Sequence, residues 1–141
     1  MTDEQIFHSL SEEQTRQLGY EFASGLSGGD VVSFSGELGA GKTVFIRGIC
    51  DRLCPEINVS SPSFTIVNVY PTEGFEIYHI DFYRISDESE LIDLGIEEYF
   101  DPQNIVLIEW GEKGDKFLPE NTIKIELSIL GESERRVKIK R

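Results

Sequence analysis

One segment, residues 36–43, constrains the fold of this chain more than any other because its sequence is GELGAGKT. It fits the pattern G-x-x-x-x-G-K-[ST], in which the backbone N–H groups of a glycine-rich loop surround the phosphates of a nucleotide. An apolar run at residues 31–35 precedes the segment, and a helical pattern follows it. The order of strand, phosphate loop and helix N-terminus therefore predicts a nucleoside-triphosphate site in an α/β fold.

The residues of this segment have separate expected roles. Glycine lets the loop turn tightly and approach phosphate oxygens without a Cβ in the way. Lys42 is expected to reach the β- and γ-phosphates, and the Thr43 hydroxyl to replace one water around Mg²⁺. The predicted nucleotide-binding residues of the loop are Gly36, Glu37, Leu38, Gly39, Ala40, Gly41, Lys42 and Thr43. The sequence lacks the guanine-reading N-K-x-D motif and a D-x-x-G switch, which favours ATP over GTP.

Length and composition set the limits of the prediction. The chain has 141 residues, of which 39% are apolar, and this suffices for one globular core. No apolar run approaches the roughly 18 residues that a membrane span requires. The first residues are acidic and lack a signal-peptide pattern. We therefore expect a single domain, residues 1–141, located in the cytoplasm and without membrane contact.

The net charge of −13 argues against direct binding of a nucleic-acid backbone by this chain alone. Five of the last seven residues are nevertheless basic. This tail is interpreted as a solvated edge strand protected by its charge, with contact to RNA or to an acidic partner as the alternative. Cys50 and Cys54 are interpreted as reduced packing residues, because no further Cys or nearby His completes a metal site.

Periodic patterns predict the remaining elements. A helix begins at Ser11 with a capping box and is ended by residues 27–30. Further helices are predicted at residues 42–53, at 87–93 and after Gly95, and strands at 31–35, 65–70, 75–82, 105–108, 122–129 and 135–140. The strands 65–70 and 75–82 form an antiparallel hairpin, where a doubly wound fold would have a crossover helix. The predicted class is α/β: a P-loop NTPase-like, three-layer fold with a mixed parallel/antiparallel sheet flanked by helices.

Two acids at strand ends are candidates for the chemistry. Glu109 follows a buried strand at its carboxyl end, where P-loop proteins place an acid that organises the metal ion. Trp110, next to it, either packs against the nucleotide or caps the core. His79, Asp81 and Tyr83 share one face of their strand by the period of two. That face is either a catalytic surface or the solvent-facing side of the hairpin, and the spacing alone does not separate the two.

Four blocks of this sequence resemble, in order and spacing, the TsaE family of bacterial tRNA threonylcarbamoyladenosine biosynthesis ATPases. They are GELGAGKT at 36–43, SPSF at 61–64, HIDFYR at 79–84 and IEW at 108–110. The resemblance extends from about Ser11 to the terminal hairpin. It implies a P-loop fold with a mixed sheet and slow ATP hydrolysis by the isolated protein. It also implies action alongside TsaB and TsaD, with tRNA reached only through that complex.

The same resemblance implies roles for individual residues. Lys42 and Thr43 would contact phosphate and Mg²⁺, and Glu109 would be the acidic metal partner. Asp81 is a candidate for orienting water or for a second metal contact. The implied catalytic residues are thus Lys42, Asp81 and Glu109, the metal ligands are Thr43 and Glu109, and Trp110 joins the loop in binding the nucleotide. Residues 61–65 resemble a switch-like loop near the γ-phosphate.

The predicted function is an ATP-binding and hydrolysing accessory protein that drives or resets a TsaB–TsaD complex during threonylcarbamoyl transfer to tRNA. No arginine in the sequence is an obvious finger, so we expect partners to stimulate weak activity. A small P-loop kinase and an ATP-gated adaptor that does not hydrolyse remain as alternatives. Candidates for the adenine pocket are residues 11–15, Trp110 and residues 132–136.

Overall fold

The computed structural model describes residues 3–62 and 66–141. The strands of this part of the chain are β1 (Glu4–Ser9), β2 (Val31–Ser35), β3 (Val67–Pro71), β4 (Glu76–Asp81), β5 (Ile105–Glu109), β6 (Ile123–Ile129) and β7 (Arg135–Lys140). The α-helices are α1 (Glu12–Phe22), α2 (Lys42–Leu53) and α3 (Ser89–Leu94). Short 3₁₀ helices cover Ala23–Gly25, Ile96–Tyr99 and Gly111–Phe117.

The strands form one sheet in the order β1-β7-β6-β2-β5-β4-β3. β2 runs parallel to both β5 and β6, and β4 runs parallel to β5. The pairs β3–β4, β6–β7 and β1–β7 are antiparallel. The mixed sheet and the antiparallel hairpin that the sequence predicts are therefore confirmed.

Two hydrophobic cores lie on opposite faces of this sheet. Alternate residues of β2 separate them, because Val32 and Phe34 belong to the larger core and Val31 belongs to the smaller one. Phe45 and Ile46 of α2 pack in the larger core, whereas Leu91 of α3 packs in the smaller core. Helices thus cover both faces, which gives the predicted three layers.

The structure corrects three details of the predicted elements. β1 was not anticipated, because only two of its six residues, Ile6 and Phe7, are apolar. The first helix ends at Phe22 and a 3₁₀ turn follows it, so residues 27–30 do not end the helix. The interpretation of the basic tail as an edge strand is wrong, because β7 pairs with β1 on one side and with β6 on the other.

α2 begins and ends at the predicted residues, and Gly95 separates α3 from the following 3₁₀ helix as expected. Strand β3 begins at Val67, and the predicted strand start at Thr65 lies outside the described residues. Within residues 3–62 and 66–141, no helix combines the length and apolar character that crossing a bilayer requires.

Candidate active site

The loop between β2 and α2 is held tightly against the sheet. Gly36 has a φ of 143°, and a Cβ added there would lie 2.4 Å from the carbonyl oxygen of Leu127 in β6. Any side chain at this position would therefore push the loop off β6. Gly41 caps the N-terminus of α2 in a left-handed conformation, so the first free N–H groups of the helix open toward the loop.

Lys42 is folded onto its own loop. Its side chain is 5% exposed, and its ammonium donates hydrogen bonds to the carbonyl oxygens of Gly36 and Glu37, the second at 3.0 Å. The same Nζ lies 4.0 Å from the centre of the Trp110 ring. Burial lowers the pKa of Lys42, although the nearby carboxylates of Glu109, Glu112 and Asp81 oppose that shift.

Thr43 and Glu109 are brought together from opposite sides of the site. The Thr43 hydroxyl, in the first turn of α2, lies 2.9 Å from Oε1 and 3.0 Å from Oε2 of Glu109. Glu109 ends β5 and is 4% exposed. The hydroxyl and the carboxylate thus form a pair of hard oxygen donors beside the loop, which is the ligand chemistry that Mg²⁺ prefers.

Asp81 ends β4 directly opposite Glu109 in the β4–β5 register. Its carboxylate accepts hydrogen bonds from the Ser61 hydroxyl at 3.2 Å and from the backbone N–H of Tyr83 at 2.8 Å. Burial raises the pKa of Asp81, and the hydrogen bond from Tyr83 opposes this shift. Two carboxylates from neighbouring strands therefore stand side by side at the carboxyl edge of the sheet, the ligand edge of α/β proteins.

His79 belongs to the strand face that the sequence analysis left open between a catalytic surface and a solvent-facing side, and it was given no role of its own. Its side chain is 0% exposed, so the face that it shares with Asp81 is not the solvent-facing side of the hairpin. Nε2 of His79 lies 2.7 Å from Oε2 of Glu109, and Nδ1 lies 2.8 Å from the hydroxyl of Tyr70 in β3.

Tyr83 lies beyond the end of β4, is 43% exposed and packs its ring 5.0 Å from the ring of Trp110. Trp110 also packs against the smaller core, as one of its two interpretations predicts, and its contact with a nucleotide stays a prediction.

A cleft of about 520 Å³ opens over these groups. Its lining includes Lys42, Thr43, Ser61, Asp81, Tyr83, Arg84, Glu109 and Trp110. Arg84 is an arginine at the cleft that the sequence did not single out; it belongs to the same block, residues 79–84, as Asp81. The switch-like loop predicted at residues 61–65 is described only to Pro62, and Ser63, Phe64 and Thr65 lie outside the described residues.

A second groove, of about 250 Å³, lies on the other side of the loop. Its lining includes Ser11, Glu12, Thr15, Gly39, Val44, Glu132, Ser133 and Arg135. Two of the three candidate regions for the adenine pocket therefore meet beside the loop, whereas Trp110 lines the larger cleft. The Arg135 guanidinium donates to the carbonyl oxygen of Gly39 at 3.1 Å, which ties the β6–β7 turn to the loop.

No three His, Cys, Asp or Glu side chains of the described residues cluster in a way that would hold a metal ion without help. Mg²⁺ is commonly bound through one or two protein oxygens together with substrate phosphates and water. Thr43 and Glu109 fit that mode, and the loop amides lie next to them.

The fold and this site define an α/β protein of the P-loop class. A family model described as threonylcarbamoyl adenosine biosynthesis protein TsaE matches residues 9–137. The chain belongs to the TsaE family.

Individual relatives agree with this assignment. The tRNA threonylcarbamoyladenosine biosynthesis protein TsaE of Rickettsia typhi is 40% identical over 136 residues, covering 95% of this chain and 94% of the relative. The protein of the same name from Bacillus subtilis is 37% identical over 131 residues, covering 93% and 82%. The crystal structure of Bacillus subtilis YdiB superposes with a TM-score of 0.84 at 30% identity, covering 99% of this chain and 86% of that one.

Proposed function

We propose that this protein binds ATP with Mg²⁺ and hydrolyses it as an accessory to threonylcarbamoyladenosine modification of tRNA. The observation that carries the proposal is the contact between Thr43 and Glu109 beside the phosphate loop. It joins a hydroxyl and a carboxylate at the position where P-loop proteins hold the metal of a bound nucleotide. The family to which the chain belongs, and the names of its relatives, supply the pathway.

The reaction is ATP plus water giving ADP and phosphate, and the chain offers a group for each of its demands. The loop amides and the N-terminus of α2 bind the phosphates. Lys42 exchanges the carbonyl oxygens of Gly36 and Glu37 for phosphate oxygens and balances the charge that builds up on them. Thr43 and Glu109 would hold Mg²⁺, which supplies positive charge to the phosphates when it is bound. Asp81 accepts a hydrogen bond from the attacking water and orients it.

Partners are part of this proposal. We propose that TsaB and TsaD form the complex on which the protein acts, that tRNA is reached through that complex, and that ATP hydrolysis drives or resets it. Slow hydrolysis by the isolated protein follows if the complex supplies a positive group or orders a loop near the γ-phosphate. P-loop enzymes that receive such a group from a partner are accelerated by about 10³–10⁵-fold.

The test is phosphate release by the purified protein with ATP and Mg²⁺, with and without TsaB and TsaD. We expect the complex to raise the rate by well over about tenfold, within the range that partner-supplied groups give. An unchanged rate would overturn the proposed stimulation, and no release under either condition would overturn the ATPase assignment.

The Glu109→Gln variant separates the alternatives. In a reconstituted threonylcarbamoyl-transfer reaction, we expect this variant to bind ATP but to fail in sustaining modification. Full modification with hydrolysis blocked would instead identify an ATP-gated adaptor. Labelled γ-phosphate that appears on a nucleoside, sugar or vitamin rather than as free phosphate would identify a kinase.

A further inference from the structure

His79 is enclosed between two polar partners inside the sheet. Its ring is fully buried, with Nε2 at 2.7 Å from Glu109 and Nδ1 at 2.8 Å from the hydroxyl of Tyr70. An ionised carboxylate only accepts hydrogen bonds, so the proton of the ring must be on Nε2. With this proton on Nε2, Nδ1 is the acceptor for the hydroxyl of Tyr70. The two partners together specify one tautomer and one orientation of the imidazole.

The hydrogen bond from His79 also fixes the carboxylate of Glu109. Oε2 of Glu109 receives the imidazole N–H, while Thr43 approaches both oxygens of the same carboxylate. A buried donor that holds one oxygen of a carboxylate fixes the rotation of the whole group, and this determines where its other contacts can be made. Outer partners of this kind keep metal-binding groups in place, and their loss commonly costs about 10–100-fold in metal affinity or activity.

Tyr70 also lies close to the loop after α2. The Tyr70 hydroxyl oxygen lies 3.2 Å from the carbonyl oxygen of Ser60, which accepts a hydrogen bond from Asn68 at 3.0 Å. The next residue, Ser61, donates to Asp81. Because the single proton of the Tyr70 hydroxyl is engaged by His79, the hydrogen-bonded link between this loop and the site runs through Ser61 and Asp81.

We propose that Tyr70 and His79 are positioning residues that hold Glu109 against Thr43. This role rests on the proposed function, because it concerns the group that would bind the metal of a bound nucleotide. It predicts that a substitution of Tyr70, which does not line the cleft, changes the metal affinity of the site through the imidazole of His79.

The first measurement concerns the nucleotide-free protein and is independent of activity. The chain has only two histidines, so ¹H–¹⁵N spectra of the imidazoles contain one exposed ring, His8, and one buried ring, His79. We expect the His79 signals to report a proton on Nε2, and the Tyr70→Phe variant to shift Nδ1 strongly. The Tyr78→Phe variant is the control, because the hydroxyl of Tyr78 lies on the same hairpin and its hydrogen bond goes to Glu76. An unprotonated Nε2, or equal spectra for the Tyr70→Phe variant and wild type, would overturn the proposal.

The second measurement is Mn²⁺ binding in the presence of ADP, followed by electron paramagnetic resonance. We expect the His79→Leu variant to weaken Mn²⁺ binding by about 10–100-fold. The His79→Gln variant should recover a large part of this loss, because its amide can donate to Glu109. The Tyr70→Phe variant should fall between wild type and His79→Leu. ADP affinity in EDTA should stay at the wild-type level in all three, and the His8→Gln variant should match wild type throughout.

The outcomes separate this role from the proposed function. If wild type fails to bind Mn²⁺ with ADP, the proposed function is overturned and this role with it. If wild type binds and the Tyr70→Phe variant binds Mn²⁺ as tightly, with an unchanged melting temperature, the positioning role alone is overturned. Because Tyr70→Phe is close in shape to the native residue, the test does not depend on whether His79→Leu folds.

Discussion

At the scale of single residues, the side chain of Lys42 makes hydrogen bonds that a phosphate group would replace. Its ammonium is bound to two carbonyls of its own loop, and burial lowers its pKa. A charged group whose direct contacts are carbonyl dipoles and an aromatic ring gains strongly from an anion at contact distance. Under the proposed function, a polyphosphate would complete the environment of this side chain.

Replacing Lys42 by Ala should abolish measurable ATP binding. Hydrogen bonds to charged groups contribute up to about 3 kcal/mol, so we expect affinity to fall by at least about 100-fold. Isothermal titration calorimetry measures this directly. The Lys124→Ala variant, which removes an exposed lysine from β6, should bind ATP as wild type does. Equal affinities in Lys42→Ala and wild type would contradict the assignment.

The carboxyl group of Asp81 should make the stability of the protein depend on pH, and the side-chain amide of an Asp81→Asn variant should not. Burial raises its pKa above 3.8, so between pH 3.8 and the raised value the folded state binds more protons than the unfolded state. The free energy of unfolding of wild type therefore falls as pH rises through this window. The Asp81→Asn variant should be more stable relative to wild type at pH 7 than at pH 4, as measured by urea denaturation. A constant difference between the two proteins would refute the raised pKa.

The residues of this site were predictable from sequence to different degrees. Residues 36–43 follow from their own local pattern, and Glu109 follows from the end of a buried strand. The role of His79 depends on Tyr70 and Glu109, which lie 9 and 30 positions away along the chain. Spacing within one strand places His79 on a face but carries no information about what covers that face, so its role needed the structure.

At the scale of elements, the contact between α1 and α2 determines where the loop is presented. The backbones of the two helices approach closely at Gly19 and Gly48. A Cβ at Gly48 would lie 1.9 Å from the carbonyl oxygen of Arg16, and one at Gly19 would lie 2.1 Å from that of Phe45. Because these atoms belong to the backbone, a side chain at either position would have to move a whole helix.

The Gly48→Ala variant should be destabilised by about 1–3 kcal/mol, the range for overpacked sites, despite the better helix propensity of Ala. Denaturant unfolding followed by circular dichroism measures this difference. Gly25→Ala is the matched control, because the nearest atom to an added Cβ there is the side-chain end of Arg141 at 4.0 Å. A Gly48→Ala variant as stable as wild type would show that the helices separate at little cost.

Elements with strong local signals were predicted well, and those that depend on distant pairing were not. α2 has a phosphate-loop motif before it and Pro55 after it, so both of its ends are marked in the sequence. β1 has no such signal, and it becomes a strand because β7 offers it a free edge. The position of β7 inside the sheet depends in turn on β1. Strand order depends on which strands pair with each other, and the periodicity within one segment does not indicate its partner.

At the scale of the whole molecule, charge is the dominant feature outside the site. The net charge is −13, with 26 acidic and 13 basic residues. Several of the basic residues are engaged in exposed ion pairs, such as Arg16 with Asp51 and Lys124 with Asp115. Exposed pairs of this kind contribute little, so repulsion among the excess acids outweighs them in the folded state.

Added salt should therefore stabilise the protein. Raising KCl from about 10 mM to about 300 mM shortens the Debye length from roughly 30 Å to below 10 Å and screens this repulsion. We expect the melting temperature to rise, by about 4 °C for each kcal/mol gained in a domain of this size. The Lys42→Ala variant is the control for chloride binding at the phosphate loop. An equal rise in its melting temperature would show that screening, and not bound chloride, stabilises the protein. A fall in melting temperature with salt would mean that the ion pairs dominate.

The hydrogen bond from Arg135 to the carbonyl of Gly39 connects the hairpin β6–β7 directly to the loop that is proposed to bind the phosphates. A peptide unit that rotates when phosphates arrive would release or tighten this guanidinium, and the turn that carries it would respond. Glu132, exposed in that turn and lining the groove beside the loop, is accordingly the place to attach a fluorescent reporter of nucleotide occupancy.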